Sequence, residues 1–200
     1  MSKKKRKPAN PYKRPDRFTR KAKAEGFAAR SVYKLEEIDR RTRILGRGQR
    51  VVDLGCAPGS WSAYAATKAA RVVGVDIKAI EDFSGEFVHA DIAEVPAARL
   101  LELLGGSADL VLSDMAPHTV GDRFTDHVRQ VALAELARDR ALELLSPGGH
   151  FVCKVFDGQD AHAFVQSLRP HFETLRRIKP EASRQTSREF YVLGLSRRGP

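Results

Sequence analysis

Short runs of β-branched and other apolar residues recur along the chain, and most of them end in Gly or Asp. They read "QRVVDLG", "ARVVGVD", "GEFVHAD", "ADLVLSD" and "GHFVCKVF". Helix-like stretches separate most of these runs and read "SWSAYAATKAA", "VPAARLLELLGG" and "DHVRQVALAELARDRALELLSPGG", the last stopped by Pro147 and Gly148. Strands that alternate with helices indicate a largely parallel β-sheet with helices on both faces.

The two ends of this pattern differ from its middle. Toward the N-terminus, residues 27–45, "FAARSVYKLEEIDRRTRIL", place Val32, Leu35 and Ile38 at helical spacing. Toward the C-terminus, "FETLRRIKP" and "SREFYVLGLS" are strand-like and are joined by the polar stretch "EASRQT" without a helix. Strands joined in this way pair antiparallel. We therefore predict an α/β fold whose mostly parallel, seven-stranded sheet carries one reversed strand at its end.

Basic residues are concentrated near the N-terminus. The formal net charge is +10, and the first 30 residues hold twelve Lys and Arg against two acidic residues, so the rest of the chain is balanced. Residues 1–26 also contain three prolines and few aliphatic side chains, which is typical of a flexible arm. We expect a basic arm at 1–26 that binds a phosphate backbone, followed by one folded domain at 27–200. A solvating tail is the alternative, whereas a membrane-surface helix would need an apolar face that is missing.

Other features of the composition exclude whole classes of protein. No apolar run approaches the roughly 20 residues that a membrane span needs, and no apolar segment of a secretory signal follows the basic N-terminus. We therefore expect a cytoplasmic protein without membrane contact. Cys56 and Cys153 lie in apolar segments, where we interpret them as reduced core residues. The six histidines show no metal-ligand spacing, so no metal site is expected.

Candidate ligand-binding residues lie where the predicted strands end. In open α/β sheets, ligands bind beyond the carboxyl ends of the parallel strands. The candidates at these ends are residues 53–61, Asp76, Asp91, residues 114–117 and the segment around Lys154.

The first strand leads into a glycine-containing turn, "DLGCAPGSW". Gly55 and Gly59 let backbone N–H groups approach a ligand closely, and Asp76 after the next strand can accept hydrogen bonds from two ribose hydroxyls. The turn lacks the G-x-G-x-x-G fingerprint of dinucleotide-binding proteins, which disfavours a nicotinamide-dependent reductase. The combination indicates an adenosine-type cofactor without a pyrophosphate clamp. Helix N-capping is the alternative role for Asp76 and Asp91.

The run "FVCKVF" carries Lys154 among apolar neighbours. Removing an ammonium group from water is costly unless the group is paired or loses its proton. Lys154 therefore either lies at an exposed end of its strand or has a chemical role. A lysine acts as a base near neutral pH only if desolvation or a neighbouring cation lowers its pKa from about 10.4.

Six stretches of the chain together resemble a known family. They read "RSVYKLEEI", "VVDLGCAPGSWS", "VVGVD", "DLVLSDMAPHTVG", "GGHFVCKVFDG" and "KPEASRQTSREFYVL", and the resemblance that they carry covers roughly residues 27–196. In order and spacing they resemble the FtsJ/RrmJ family of S-adenosylmethionine-dependent RNA ribose 2′-O-methyltransferases. The resemblance implies a Rossmann-like methyltransferase domain at 27–200 that uses S-adenosyl-L-methionine as its cofactor. It also implies methylation of a uridine ribose in 23S rRNA of the large ribosomal subunit, with RNA as the partner and a monomeric enzyme.

The resemblance also assigns site residues. The catalytic set of the family maps onto Lys34, Asp114, Lys154 and Glu189, and its cofactor positions map onto Gly59, Trp61, Asp76, Asp91 and Asp114. We expect Lys154 to take the proton of the ribose hydroxyl or to direct its lone pair. Asp114 would orient Lys154 and contact the cofactor. Lys34 would be the cation near Lys154 and would shape the acceptor site together with Glu189.

Taken singly, three of these residues also have ordinary structural interpretations. Lys34 could be a solvated helix residue. Glu189 could pair at a strand edge with Arg188 or Lys179. Trp61 could be a core residue that does not line the cofactor site.

Alternatives to the expected function come from the same fold. The chain departs from the family at Ser60, His118 and Val120, where Gly, Asn and Ser are usual. A tRNA ribose 2′-O-methyltransferase of the same family is one alternative. A non-catalytic RNA-binding factor of ribosome assembly is another, although such a protein would be expected to lose members of the catalytic set, and this chain has all four.

Overall fold

Seven strands form one sheet, and the apolar runs of the sequence supply its parallel part. The computed structural model describes residues 16–118, 120–184 and 186–199, apart from the side chain of Arg123. The strands are β1 (Arg50–Leu54), β2 (Arg71–Asp76), β3 (Glu86–His89), β4 (Ala108–Ser113), β5 (Leu145–Phe156), β6 (Phe172–Ile178) and β7 (Glu189–Arg197). Their order across the sheet is β3-β2-β1-β4-β5-β7-β6, with parallel pairing from β3 to β5. The predicted α/β fold is confirmed.

Helices cover both faces of this sheet. They are α1 (Arg17–Ala24), α2 (Val32–Thr42), α3 (Ser60–Ala66), α4 (Ala97–Leu104), α5 (Arg123–Leu144) and α6 (Ala161–Ser167). Val51 of β1 belongs to the apolar cluster that includes residues of α2 and α3, whereas its neighbour Val52 belongs to the cluster that includes α4, α5 and α6. Successive side chains of a strand point to opposite faces, so both faces of the central strands are buried. This explains why the strands read as continuous apolar runs.

The reversed strand is not at the edge of the sheet. β7 pairs antiparallel with β5 on one side and with β6 on the other, so the outermost strand is β6. The reversed strand was expected at the end of the sheet, but it is the second strand from that end. The polar connection between β6 and β7 is short, as predicted. β7 lies between β5 and β6 and pairs with both of them. This insertion places Tyr191 opposite Lys154 and Glu189 opposite Phe156.

The structure differs from the expected arm over residues 17–24, which form α1. Asp16 caps this helix by accepting a hydrogen bond from the Thr19 N–H at 2.8 Å. Ala22 is buried in a small cluster with Val32, Tyr33 and Ala182. The folded part of the chain thus begins before the expected boundary at residue 27. The first fifteen residues of the predicted arm lie outside the described residues.

Several smaller features complete the comparison with the sequence. α5 ends at Leu144, earlier than the predicted stop at Pro147, because β5 begins directly at Leu145. Cys56 and Cys153 are free and buried, as interpreted from the sequence. Among the described residues, no helix combines the length and apolar character needed to cross a membrane.

Candidate active site

Lys154 is buried and paired at the carboxyl end of β5. It is 5% exposed, which excludes the interpretation of a solvent-exposed strand end. Its Nζ donates hydrogen bonds to Asp114 Oδ1 at 3.0 Å and to the Asp114 carbonyl oxygen at 2.5 Å. Asp114 directly follows β4, which neighbours β5. Two adjacent parallel strands therefore end in an acid and a base that compensate each other's charge.

Tyr191 joins this pair from the other side of β5. Its hydroxyl donates to Asp114 Oδ1 at 2.6 Å. Burial alone would raise the pKa of Asp114, but the charges of Lys154 and Lys34 and the Tyr191 hydrogen bond together hold it below its usual value. Burial also raises the pKa of Tyr191 well above that of a free phenol, so Tyr191 remains a hydrogen-bond donor at neutral pH. Asp114 is therefore an ionised carboxylate with several donors.

A second ion pair lies beside the first. Lys34 Nζ of α2 is 2.5 Å from Glu189 Oε1 at the start of β7, and each side chain is 11% exposed. Lys34 Nζ also lies 5.8 Å from the centre of the Tyr191 ring. Tyr191 thus contacts both pairs, through its hydroxyl and through its ring. The structure brings all four residues of the expected catalytic set into one cluster, and Glu189 pairs with Lys34, not with Arg188 or Lys179.

The sequence contained a signal for Tyr191 that our prediction missed. Residues two apart on a strand lie on the same face, and residues directly opposite each other in an antiparallel pair also share a face. Glu189 and Tyr191 are two apart on β7, and Tyr191 is directly opposite Lys154. The alternation therefore places these three side chains together once the pairing of β7 with β5 is known.

The glycine-containing turn after β1 is fastened to the end of β2. The N–H groups of Gly55 and Cys56 donate to the Val75 carbonyl oxygen, and the Ala57 N–H donates to Asp76 Oδ2 at 2.8 Å. A Cβ at Gly55 would lie 2.2 Å from Met115 Cγ, so only glycine allows the turn to approach the loop after Asp114. The turn and the Asp114 loop are consequently in direct contact.

Gly59 ends the turn and precedes the first residue of α3. Its φ is +94°, which glycine adopts without the strain that a side chain would cause. Trp61 follows in α3 with a side chain that is 2% exposed and an Nε1–H that donates to the Ser31 carbonyl oxygen. The indole ring also packs 5.5 Å from the Tyr191 ring, centre to centre. The Trp61 side chain is therefore a core residue.

Asp76 and Asp91 do not cap α-helices. Asp76 Oδ1 accepts from the Lys78 N–H and its Oδ2 from the Ala57 N–H, whereas Asp91 Oδ1 accepts from the Ala93 N–H in an exposed turn. Asp76 ends β2, Asp91 lies two residues beyond β3, and Asp114 follows β4. Because β3, β2, β1 and β4 are neighbours, three carboxylates and the glycine turn line one edge of the sheet.

Asp53, on β1 and within the candidate segment 53–61, is a further buried carboxyl group to which the sequence analysis assigned no role of its own. It is 1% exposed and accepts a hydrogen bond from the Ser62 hydroxyl at 2.5 Å. Burial, reinforced by Asp114 and Asp76 and only partly offset by the hydrogen bonds from Ser62, raises its pKa to about 7. The hydrogen bond ties β1 to α3 beneath the glycine turn.

A cavity of about 370 Å³ opens beside the Lys34–Glu189 pair. Its lining comes from the start of α2 and from the segment before β7, and consists of Arg30, Ser31, Lys34, Arg184, Thr186, Ser187 and Glu189. Three of these residues are cationic and three carry hydroxyl groups. Such a lining suits an anionic, hydroxyl-bearing ligand.

Comparisons with known proteins identify the family of this chain. The FtsJ-like methyltransferase family matches residues 27–197. A ribosomal RNA large subunit methyltransferase E from Desulfosudis oleivorans is 46% identical over 97% of this chain and 96% of its own length. A protein of the same name from Sorangium cellulosum is 47% identical over 96% of this chain and 92% of its own length. A crystal structure described as a ribosomal RNA methyltransferase from Plasmodium falciparum, 24% identical, superposes with a TM-score of 0.76 over 87% of this chain and 100% of that chain, which supports the fold. This chain belongs to the FtsJ-like methyltransferase family.

Proposed function

We propose that this protein transfers a methyl group from S-adenosyl-L-methionine to the 2′-hydroxyl of a uridine ribose in 23S rRNA of the large ribosomal subunit. The family and the names of its relatives support an RNA methyltransferase. The observation that carries the proposal is the cluster of two ion pairs that share Tyr191, next to the glycine turn. We also propose a monomeric protein that acts in the cytoplasm.

The residues at the edge of β1 to β4 fit an adenosine-type methyl donor. Asp76 has oxygen lone pairs beyond those used by the Ala57 and Lys78 N–H groups, so its carboxylate can accept from ribose hydroxyls. Gly59 leaves the start of α3 free of a side chain, Asp91 has an exposed carboxylate, and Asp114 belongs to the catalytic cluster itself. For Trp61, whose side chain is buried, the role is limited to its main chain. When bound, the donor supplies a methyl group on a positively charged sulfur, which is already activated for transfer.

The cavity next to Lys34 is the proposed acceptor site. Arg30 and Arg184 can contact phosphate oxygens, and the hydroxyl groups of Ser31, Thr186 and Ser187 can contact a nucleotide. A ribose inside an A-form helix is poorly accessible, so we expect the target nucleotide to come from a loop or to be turned out of its stack. Lys34 and Glu189 would form the wall between this cavity and Lys154.

Lys154 is the residue we assign to the hydroxyl itself. An ammonium group has three N–H donors, and two of them face acceptors of Asp114. As an ammonium, Lys154 can donate its third N–H to the ribose 2′-oxygen and direct a lone pair of that oxygen toward the methyl group. A neutral Lys154 amine would instead turn its own lone pair to this position and could receive the hydroxyl proton as the bond forms. Asp114 keeps the amine in place, and Tyr191 keeps Asp114 in place.

The activity is tested by supplying the purified protein with labelled S-adenosyl-L-methionine and one of three RNAs. The substrates are free 23S rRNA, large ribosomal subunits and total tRNA. Mass spectrometry of the digested nucleosides should find 2′-O-methyluridine in the ribosomal RNA. Label in tRNA alone would instead identify the tRNA enzyme of the same family. Donor binding without transfer to any RNA would indicate a non-catalytic factor, and absence of donor binding would overturn the cofactor assignment.

The Lys154→Ala variant tests the assignment of the catalytic residue. We expect methyl transfer to fall by about 10²–10⁴-fold, while the calorimetric affinity for the donor changes little. Lys68→Ala is the matched control, because Lys68 likewise forms an ion pair with a buried aspartate, Asp39, at 2.5 Å and outside this site. Single-turnover rates of Lys154→Ala that equal those of the control would remove Lys154 from this role.

A further inference from the structure

Gln130 is a buried polar residue that the proposed mechanism does not use. It lies on the same stripe of α5 as Ala134, Ala137 and Ala141, which pack against the sheet. It is 1% exposed, so its amide is shielded from water. Its Nε2 donates to the carbonyl oxygen of Lys154 at 2.9 Å. A buried amide in an alanine-rich stripe needs a hydrogen-bond partner, and this partner belongs to the proposed catalytic set.

The Lys154 carbonyl lies where the parallel ladder between β4 and β5 ends. The last paired residues are Ser113 and Cys153, and the chain of β4 leaves the sheet at Asp114. Beyond that point β4 offers β5 no further main-chain partner. The amide of Gln130 supplies a donor to this carbonyl at 2.9 Å, and the Cys153 thiol is a second, weaker donor at 3.4 Å. A helix side chain therefore makes the shorter hydrogen bond to the Lys154 carbonyl where the β4–β5 pairing stops.

We propose that Gln130 is a positioning residue that fixes the backbone of Lys154 and thereby the location of its amine. The inference rests on the methyl transfer proposed above. Asp114 holds the far end of the Lys154 side chain through Nζ, and Gln130 holds the near end through the main-chain carbonyl. Lys154 is thus restrained at both ends. Displacing a reacting group by about 1 Å can cost about 10²-fold in rate, so the loss of either restraint slows transfer.

His127, one turn earlier on α5, shows that this helix also contacts the segment that follows β5. Its Nε2 accepts a hydrogen bond from the Asp160 N–H at 3.1 Å. A Cβ at Gly158 would lie 2.4 Å from the His127 ring, so the ring packs directly on that backbone. α5 therefore contacts both Lys154 and the segment that follows it, and Gln130 makes the contact to the catalytic residue.

The Gln130→Met variant removes the donor while preserving length and apolar packing. We expect the single-turnover rate of methyl transfer to fall by about tenfold or more, with KM for the donor and for RNA changed by less than about twofold. Arg138→Met is the matched control on the same helix, because Arg138 Nη1 donates to Ser167 Oγ at 2.8 Å, away from Lys154. The control should keep the wild-type rate even if its melting temperature falls.

The Gln130→Glu variant gives a readout that a purely structural role would not produce. A protonated carboxyl group can donate to the Lys154 carbonyl as the amide does, whereas a carboxylate cannot. Burial favours the protonated form, so the group should titrate within an accessible pH range. We expect the rate of the variant, divided by that of wild type, to rise as the pH is lowered from 8 to 6.

The possible outcomes separate this inference from the proposed function. Wild-type rates in folded Gln130→Met, or a loss that merely follows its unfolded fraction, would overturn the positioning role. If that variant does not fold, a rate ratio for Gln130→Glu that is independent of pH would overturn it instead. Absence of methyl transfer by the wild-type protein would overturn the proposed function before any variant is compared.

Discussion

Charge compensation between single residues sets the energetics of the site. Lys154 with Asp114 and Lys34 with Glu189 are ion pairs with little solvent contact. Desolvation makes such pairs weak contributors to stability, but removing one partner leaves a buried charge uncompensated and is strongly destabilising. The protein therefore keeps these charges in a place where apolar residues would pack at lower cost. Their presence is explained if the charges act on a substrate.

Tyr191→Phe tests the hydrogen bond to Asp114 while keeping the aromatic ring. A hydrogen bond to a charged group is worth about 1.5–3 kcal/mol, so we expect transfer to slow by about tenfold to a hundredfold. Losing this donor raises the pKa of Asp114, and the pH below which activity declines should therefore move upward. Single-turnover rates measured across pH report both effects.

Tyr33→Phe is the matched control for this change. The Tyr33 hydroxyl donates to Glu25 Oε2 at 2.7 Å, outside the site. The role of Tyr191 would be contradicted if the pH below which activity declines moved equally in both variants, or in neither.

At the scale of elements, a buried hydrogen bond from Ser62 to Asp53 connects α3 to β1 next to the glycine turn. The pKa of Asp53 is raised from 3.8 to about 7, so the folded protein binds this proton more tightly than the unfolded chain does. The stability associated with this group is fully present below about pH 4 and is lost as the pH rises through about 7. At neutral pH, Asp53 is therefore partly ionised, and its negative charge is buried next to the glycine turn.

Asp53→Asn should remove the energetic cost of a buried negative charge at this position. The asparagine oxygen can still accept from Ser62. Relative to wild type, the free energy of unfolding of Asp53→Asn should increase as the pH rises from 4 to 8. At about 1.4 kcal/mol per pKa unit, the shift from 3.8 to about 7 sets an upper limit of about 4 kcal/mol. Urea denaturation at several pH values measures the difference.

Asp122→Asn provides a comparison of opposite sign. Asp122 caps α5, and the hydrogen bonds that it accepts from Thr125 lower its pKa. Its stabilisation is present above the unfolded pKa of 3.8 and is lost as the pH falls below that value. The difference from wild type should therefore change in the reverse direction, and below about pH 4 instead of between pH 4 and 8. Parallel behaviour of the two variants would contradict the assignment of Asp53.

Strands and long helices could be predicted because their patterns are strong on their own. β1, β2 and β4 are runs of β-branched and other apolar residues with clear ends, and α5 has a long apolar stripe. α1 was not predicted, since it has eight residues of which one, Ala22, is buried, and that burial depends on Tyr33 and Ala182. The position of β7 inside the sheet also depends on pairing that no local pattern encodes.

The individual site residues differ in how readily the sequence reveals them. Lys154 was noticeable because a lysine interrupts an apolar strand, whereas Lys34 and Glu189 were found through the family resemblance. Tyr191 and Gln130 were missed, because an aromatic residue in a strand and a glutamine in a helix are ordinary in sequence. Their roles come from what lies opposite them, Lys154 in both cases.

On the scale of the whole molecule, distant segments of the chain build the proposed acceptor side. Arg30 donates to the Ala182 carbonyl oxygen, and the Glu181 N–H donates to Glu37 Oε2 at 2.8 Å. These contacts join the start of α2 to the connection between β6 and β7. The cationic lining of the cavity lies at this junction, and the basic residues before α1 precede it in sequence.

Deleting residues 1–15 tests whether the basic segment binds RNA. The truncation keeps Asp16 as the cap of α1 and removes seven Lys and Arg. We expect weaker RNA binding and a smaller dependence of log K on log salt concentration, by about 0.7 to 0.9 for each phosphate that the shortened protein no longer neutralises. Donor affinity should not change.

The control for the deletion is the full-length chain in which these seven basic residues are replaced by Gln. It should reproduce the weaker binding if charge is responsible. An unchanged salt dependence in both proteins would identify the segment as a solubilising tail.

The insertion of β7 between β5 and β6 has a consequence for how the enzyme is made. Both neighbours of β7 precede it in the chain, so during translation they emerge before the strand that will separate them. Until β7 arrives, the edge of β5 is unpaired and Tyr191 and Glu189 are missing from the cluster. We therefore expect a nascent chain to hold the residues of the proposed cofactor side before the proposed acceptor side is complete, and to become able to modify RNA only after β7 has been made.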